Sequence, residues 1–196
     1  IPDSVQTIDG GVFCKCTELK KVTLPKSVKS IGCDCFNMCS SLEEISVPSS
    51  VAFIENDFCK ECTKLQKITI PNSVHYIGAG SFSMCQNLKE VNVPDSVHYI
   101  GAGSFYGCDQ LVKVHLSNSL TSIEPNTFEL CQSLREINIP KSLNIIKNDA
   151  FNRCYKLTDL LIENNSSLSL IGHYAFYCCY ALKKIKIPAS VKEICN

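Results

Sequence analysis

The sequence has no surplus of either charge, since 19 basic residues face 19 acidic ones. That balance predicts no electrostatic footprint for nucleic acid or for an anionic membrane. No apolar run approaches the roughly 18 residues that a membrane-spanning helix needs, so this segment is not expected to insert. The opening residues, Ile1-Pro2-Asp3-Ser4-Val5, lack the basic stretch followed by an apolar one that marks a secretory leader. Motifs of hydrolytic, metal-dependent or nucleotide chemistry are also missing: there is no H-E-x-x-H, no G-x-S-x-G and no P-loop. Gly78-Ala-Gly80 and Gly101-Ala-Gly103 resemble phosphate loops only in composition. A phosphate site needs a following helix whose N-terminus faces the anion, and these segments read as turns. No enzyme activity and no cofactor are expected.

What is abundant is repetition. Leu19, Leu42, Leu65, Leu88, Leu111, Leu134 and Leu157 follow one another at 23-residue intervals, and Leu182 follows after 25. Riding on that register is a longer block, complete in Leu88, Val91, Val93, Pro94, Ser96, Val97, Ile100, Phe105, Cys108 and Leu111. A fixed period of this length is the signature of stacked repeats, each unable to bury its apolar face alone. Both ends of the sequence fall in mid-repeat. The expectation is one solenoid over residues 1–196, part of a longer protein, with ends prone to end-to-end association.

Within a turn, Leu-x-x-Val-x-Leu has the β-branched alternation of a strand, as in Val22-Thr23-Leu24 or Ile68-Thr69-Ile70. Pro25, Pro48, Pro71, Pro94, Pro140 and Pro188 end it, because proline has no N–H to continue a ladder. Ser117 and Glu163 stand in that slot instead, which predicts looser exits there. A second short extended segment follows in Ser-Val-x-x-Ile. From Phe151 through Cys154 to Leu157 the apolar positions fall three apart, a spacing that predicts a helical turn or 3₁₀ piece. The fold class expected is an α/β repeat, a solenoid with a parallel β-sheet on one face and short helical or 3₁₀ turns on the other.

The phrases Ile-Pro-x-Ser-Val, Ile-Gly-x-x-Ala-Phe and Cys-x-x-Leu resemble those of the BspA-like leucine-rich-repeat family over the whole chain. The resemblance implies a non-catalytic protein-binding module, of the kind found in cell-surface or secreted adhesion proteins that recognise a host or neighbouring-cell protein. An intracellular scaffold in the cytoplasm is the alternative, and a reduced cysteine column suits that compartment.

Eight of the fourteen cysteines, Cys16, Cys39, Cys62, Cys85, Cys108, Cys131, Cys154 and Cys179, occupy the repeat slot three residues before leucine. They are expected to form a reduced ladder of small buried side chains, since parallel in-register Cβ atoms stay farther apart than a disulfide prefers. Cys14, Cys33, Cys35, Cys59, Cys178 and Cys195 lie outside it. Cys59 and Cys62 form a C-x-x-C, yet no second pair completes four zinc ligands. An isolated Cys35–Cys59 disulfide stays open as an alternative. His75 and His98, copies within a duplicated decapeptide (residues 73–82 and 96–105), share one slot on adjacent turns. They are read as surface residues and not as a metal pair.

Strand alternation places two columns on the open face. One runs Lys21, Glu44, Lys67, Glu90, Lys113, Glu136, Asp159, Lys184; the other runs Thr23, Ser46, Thr69, Asn92, His115, Asn138, Leu161, Lys186. The first nearly alternates in sign. It is either a self-neutralising ladder that sets register or the face that holds a protein or glycan ligand. Residues 159–186, where Leu161 and the lysines interrupt the pattern, are the favoured local contact. Asn164 and Asn165 begin overlapping N-x-[ST] glycosylation acceptors in an inserted loop.

Overall fold

The computed structural model describes residues 1–162 and 167–196, with the backbone alone at Asp159 and Leu161. Strands recur twice per 23-residue rung: β1 (Thr7–Ile8), β2 (Ser30–Ile31), β3 (Glu44–Ser46), β4 (Phe53–Ile54), β5 (Lys67–Thr69), β6 (Tyr76–Ile77), β7 (Glu90–Asn92) and β8 (Tyr99–Ile100). They continue as β9 (Lys113–His115), β10 (Ser122–Ile123), β11 (Glu136–Ile137), β12 (Ile145–Ile146), β13 (Asp159–Leu161), β14 (Leu170–Ile171), β15 (Lys184–Lys186) and β16 (Glu193–Ile194). Every pairing is parallel and in register, for example Val91 opposite Val114 and Ile77 opposite Ile100. The odd-numbered strands from β3 onward form one face. Strands β1 and β2 and the later even-numbered ones form a second, narrower face.

Proline acts as expected at the exit between the two faces, and the rest of the turn is held by hydrogen bonds. Val97 N–H donates to Pro94 O at 3.0 Å, and Ser96 Oγ donates to Val74 O of the preceding rung at 2.7 Å. Ser117 keeps the same turn without proline, because Leu120 N–H still reaches Ser117 O (3.3 Å) and Ser119 N–H donates to the Ser117 hydroxyl (3.0 Å). The turn closes there without proline, and the exit at Glu163 lies outside the described residues. Beyond the narrow strands some rungs approach so closely that a Cβ on Gly101 would stand 2.4 Å from the Ala79 nitrogen. Where Glu124 and Lys147 take that slot, they form an ion pair at 2.8 Å.

The expected helical or 3₁₀ turns do not form; the third side of each rung is a run of β-turns. In the Gly80–Leu88 segment, Ser83, Cys85 and Leu88 donate back three residues, at 2.9, 3.2 and 3.1 Å. Alternate N–H groups leave the rung: Gly80, Phe82 and Met84 donate to Ala102, Ser104 and Tyr106 of the next one, at 3.0, 2.8 and 2.6 Å. A helix needs successive N–H groups for its own i−4 carbonyls, and here half of them bridge rungs. Two positions per turn, Asp34 and Met38 in one rung, Asn126 and Leu130 in another, also have φ between 56° and 61°, which no right-handed helix accommodates. The period-three spacing of Phe, Cys and Leu is therefore the period of successive turns.

Phenylalanines and cysteines from these turns line the core. Phe105, Phe128 and Phe151 stack face to face, with centroids 5.6 and 5.5 Å apart. In the rung where Cys59 takes the phenylalanine slot, Phe58 enters from one residue earlier and meets Phe36 and Phe82 edge-on. Each repeat-slot cysteine from Cys39 to Cys179 donates its S–H to the slot carbonyl one rung back, as in Cys131 Sγ to Phe105 O at 3.1 Å. Cys39 through Cys154 are buried, Cys179 is half-buried, and Cys16 is exposed because no rung covers its outer side.

Truncating the central ring, Phe105→Ala, is expected to cost about 3–5 kcal/mol, read as a lowered urea midpoint. Burial pushes the thiols of Cys35, Cys39 and Cys179 up to about 12 and moves Cys59, Cys85, Cys131 and Cys154 the same way. An unfolded thiol ionises near about 8.5, so the folded state holds its protons longer. The stability linked to these thiols is complete below that pH and is lost as pH rises toward the folded values. The denaturation midpoint should fall above about pH 8.5. At neutral pH a thiol reagent should label Cys16 and Cys33 readily and the buried cysteines only in denaturant; full labelling of the native protein would contradict the ladder.

Candidate binding face

The broad face is built by alternation. In the fourth rung Leu88, Val91 and Val93 point into the core and are nearly inaccessible, which turns Glu90 and Asn92 outward. The same pattern exposes Lys21, Thr23, Glu44, Ser46, Lys67, Thr69, His115, Glu136, Lys184 and Lys186, with Lys113 half-exposed. In-register pairing sets Glu44 opposite Lys67, Glu90 opposite Lys113, Glu136 opposite Lys113, and Asp159 opposite Lys184. Opposite signs thus meet along the column, as in a register-setting ladder.

The ladder is uneven. Lys21 meets Glu44 at 2.8 Å and Lys113 meets Glu136 at 3.0 Å. The hydrogen bond and charge of Glu44 raise the Lys21 pKa, and Lys21 lowers that of Glu44; Glu136 raises Lys113 in the same way. Between these two pairs, Lys67 and Glu90 form no ion pair among the described residues. In the second column Asn138 turns back to the chain, its Oδ1 accepting Leu116 N–H at 2.7 Å and its Nδ2 donating to Leu116 O at 3.2 Å. Its side chain replaces ladder bonds, and β11 is accordingly a residue shorter than β9.

The face also has two seams among the described residues. β3 and β5 form one sheet, β7, β9 and β11 another, and β13 and β15 a third; no ladder bond joins β11 to β13, and none joins β5 to β7. A recess of about 530 Å³ opens there, with Lys67, Lys89, Glu90, Asn92, Lys113 and His115 on its walls. Lys89 lies outside the two columns read from the sequence. Its signal was its slot: Gln66 and Val112 flank it on adjacent rungs, so it stands as an isolated charge.

The side chains of Asp159 and Leu161, and Asn164 and Asn165 altogether, lie outside the described residues. His75 and His98 are exposed and parallel, with centroids 6.1 Å apart, and His75 Nδ1 faces Ser96 O at 3.1 Å. Among the described residues no three metal-ligating side chains come together. All fourteen cysteines are free thiols; Cys35 and Cys59 are buried, Cys33 is exposed, and Cys14, Cys178 and Cys195 are half-buried. The narrow face carries an outward aromatic column, Phe53, Tyr76 and Tyr99, with the tyrosine rings stacked at 5.2 Å. The duplicated decapeptide contains that stacking signal. No helix among the described residues is long and apolar enough to cross a membrane.

Comparison with known proteins places this architecture. The family model of the BspA type leucine rich repeat region matches in six copies over residues 1–111 and 75–196. No curated protein matches. A leucine-rich repeat protein from Bacteroides ovatus superposes with a TM-score of 0.91 at 31% identity, covering 97% of this chain and 49% of that one. The T. pallidum leucine rich repeat protein aligns at 33% identity and a TM-score of 0.75, covering 78% of this chain and 72% of its own. One from Eubacterium ventriosum, 21% identical, covers 100% of this chain and 62% of its own at a TM-score of 0.75, a likeness of fold. The chain spans about half the length of the Bacteroides ovatus protein it matches.

Glu44→Lys, which puts a third positive charge between Lys21 and Lys67, is expected to lower the thermal midpoint slightly. The loss should shrink in about 0.5 M salt, where exposed charges are screened. A loss insensitive to salt would mean that the column does not act electrostatically.

Proposed function

The chain belongs to the BspA-type leucine-rich-repeat family, and on that premise we propose that it is a non-catalytic binding module whose broad face holds a protein partner at the cell surface or outside the cell. The observation that carries this reading is the face itself, where small hydroxyl and amide groups stand beside paired charges on a rigid parallel sheet. Such a surface has directional hydrogen-bonding groups already positioned, so a partner pays little ordering cost to the module when it docks. Its opposite charges cancel at short range and disfavour a uniform polyanion. Glycan recognition on the same face is the variant of this reading in which hydroxyls replace peptide groups.

An intracellular scaffold is the second reading, favoured by one observation: eight of the free thiols are fully buried, and dense reduced cysteine is at home in a reducing compartment. Antibody labelling of intact against permeabilised source cells separates the two. Signal on intact cells supports the surface reading; signal only after permeabilisation overturns it in favour of the scaffold. The binding face is tested by a photo-crosslinking residue placed at Ser46 or Thr69, compared with one at Glu129 on the turn side. A partner captured from the first two positions and not from Glu129 is the expected outcome, and the reverse pattern would reject the face.

A further inference from the structure

We infer that the seam between β5 and β7 is the point on this face where an acidic peptide segment of the partner docks. The inference rests on the face being the binding surface, and it adds the chemistry of what sits there. Three features coincide at the seam. The first is backbone. At most rungs the chain entering the strand is tied to the preceding rung by main-chain bonds, such as Gln66 N–H to Glu43 O at 2.8 Å and Val112 N–H to Lys89 O at 2.8 Å, although the chain entering β13 lacks such a bond as well. Between the third and fourth rungs a side chain does this work, Asn87 Nδ2 donating to Thr63 O at 2.7 Å, while β5 and β7 fall into separate sheets. β5 and β7 nevertheless stay side by side, so main-chain hydrogen bonding is incomplete at the seam without an open edge there.

The second feature is charge. The recess has three lysines, Lys67, Lys89 and Lys113, against one carboxylate, Glu90. Lys113 is engaged by Glu136 at 3.0 Å. Lys67 and Lys89 have no ion-pair partner among the described residues, and both are exposed. An Asp or Glu side chain arriving between them gains two ammonium groups without breaking a close ion pair, although the charge of Lys67 also acts on Glu44, opposite it on β3. Glu90 stands beside them and selects against a continuous run of acids, so the complementary ligand is a peptide with spaced carboxylates. The third feature is the wall. Asn92 and His115 contribute polar edges in front of the nearly buried Ile68 and Val91, and the lining has no phenyl or indole face on which a sugar ring could stack. That combination favours peptide over an acidic sugar.

The test is fluorescence anisotropy with the whole chain and a fluorescein-labelled, end-blocked octapeptide of alternating Glu and Gly. The comparison probes are the Lys/Gly counterpart and a labelled tetragalacturonate. The acidic peptide should bind in preference to both, and binding should weaken as salt rises. Lys67→Glu and Lys89→Glu should each lower its affinity by roughly threefold to tenfold. Lys183→Glu, which reverses a lysine far along the solenoid, should leave it unchanged. Thermal midpoints of the three variants show that the fold is intact, since all three side chains are exposed. Equal affinity for the Glu and Lys peptides, tighter binding of tetragalacturonate, or equal losses in all three variants would each overturn the inference. If crosslinking at Ser46 and Thr69 captures a partner while the Glu peptide does not bind, the binding face stands and the seam assignment alone fails.

Discussion

The carbonyl oxygen of the phenylalanine slot is the point on which each rung is hung. Phe105 O accepts the Cys108 N–H of its own turn and the Cys131 S–H of the next rung. One buried acceptor thus closes a turn and sets the offset between turns, using both lone pairs that a carbonyl offers. A carbonyl left unmatched in this core would be costly, and the small, weakly donating thiol fits between stacked rings where a hydroxyl would need a fuller set of partners. Together with the three backbone bonds that leave each turn for the next, this interaction keeps the repeat at 23 residues and the strands in register.

Register then determines the face. Because each strand meets its neighbour residue for residue, a one-letter pattern along the sequence becomes a column in space, and alternating lysine and glutamate become near neighbours 23 residues apart. The column is tightest where an ion pair closes and loosest at the seam, where Lys67 and Glu90 form no close ion pair among the described residues. A regular scaffold therefore carries a local irregularity, where ladder bonds are missing and three lysines face one carboxylate.

The departures from the repeat show how far local reading reaches. Cys59 takes the phenylalanine slot, and Phe58, one residue earlier, keeps the column by entering edge-on. Ser117 in place of proline reads as a loosened exit, yet its hydroxyl holds the turn. Asn138 reads as a surface group, and it is instead a substitute for the backbone ladder. For Asn138 the deciding partner, Leu116, lies one rung away where no local pattern names it, whereas for Ser117 and Cys59 it lies within three residues. Lys89 stands outside the alternating columns because it lies one residue before the strand, on a slot whose neighbours are uncharged.

The sequence by itself determined the period, the inward and outward faces of each strand, the cysteine slot and the alternating charges, because side-chain direction in a strand depends on residue parity alone. Tertiary structure decided the rest. Whether a three-residue apolar spacing becomes helix or successive turns depends on where alternate N–H groups find acceptors, and those acceptors lie one rung away. Whether two in-register strands are joined or parted depends on the balance of backbone and side-chain bonds across the stack, which is settled only when the rungs are assembled.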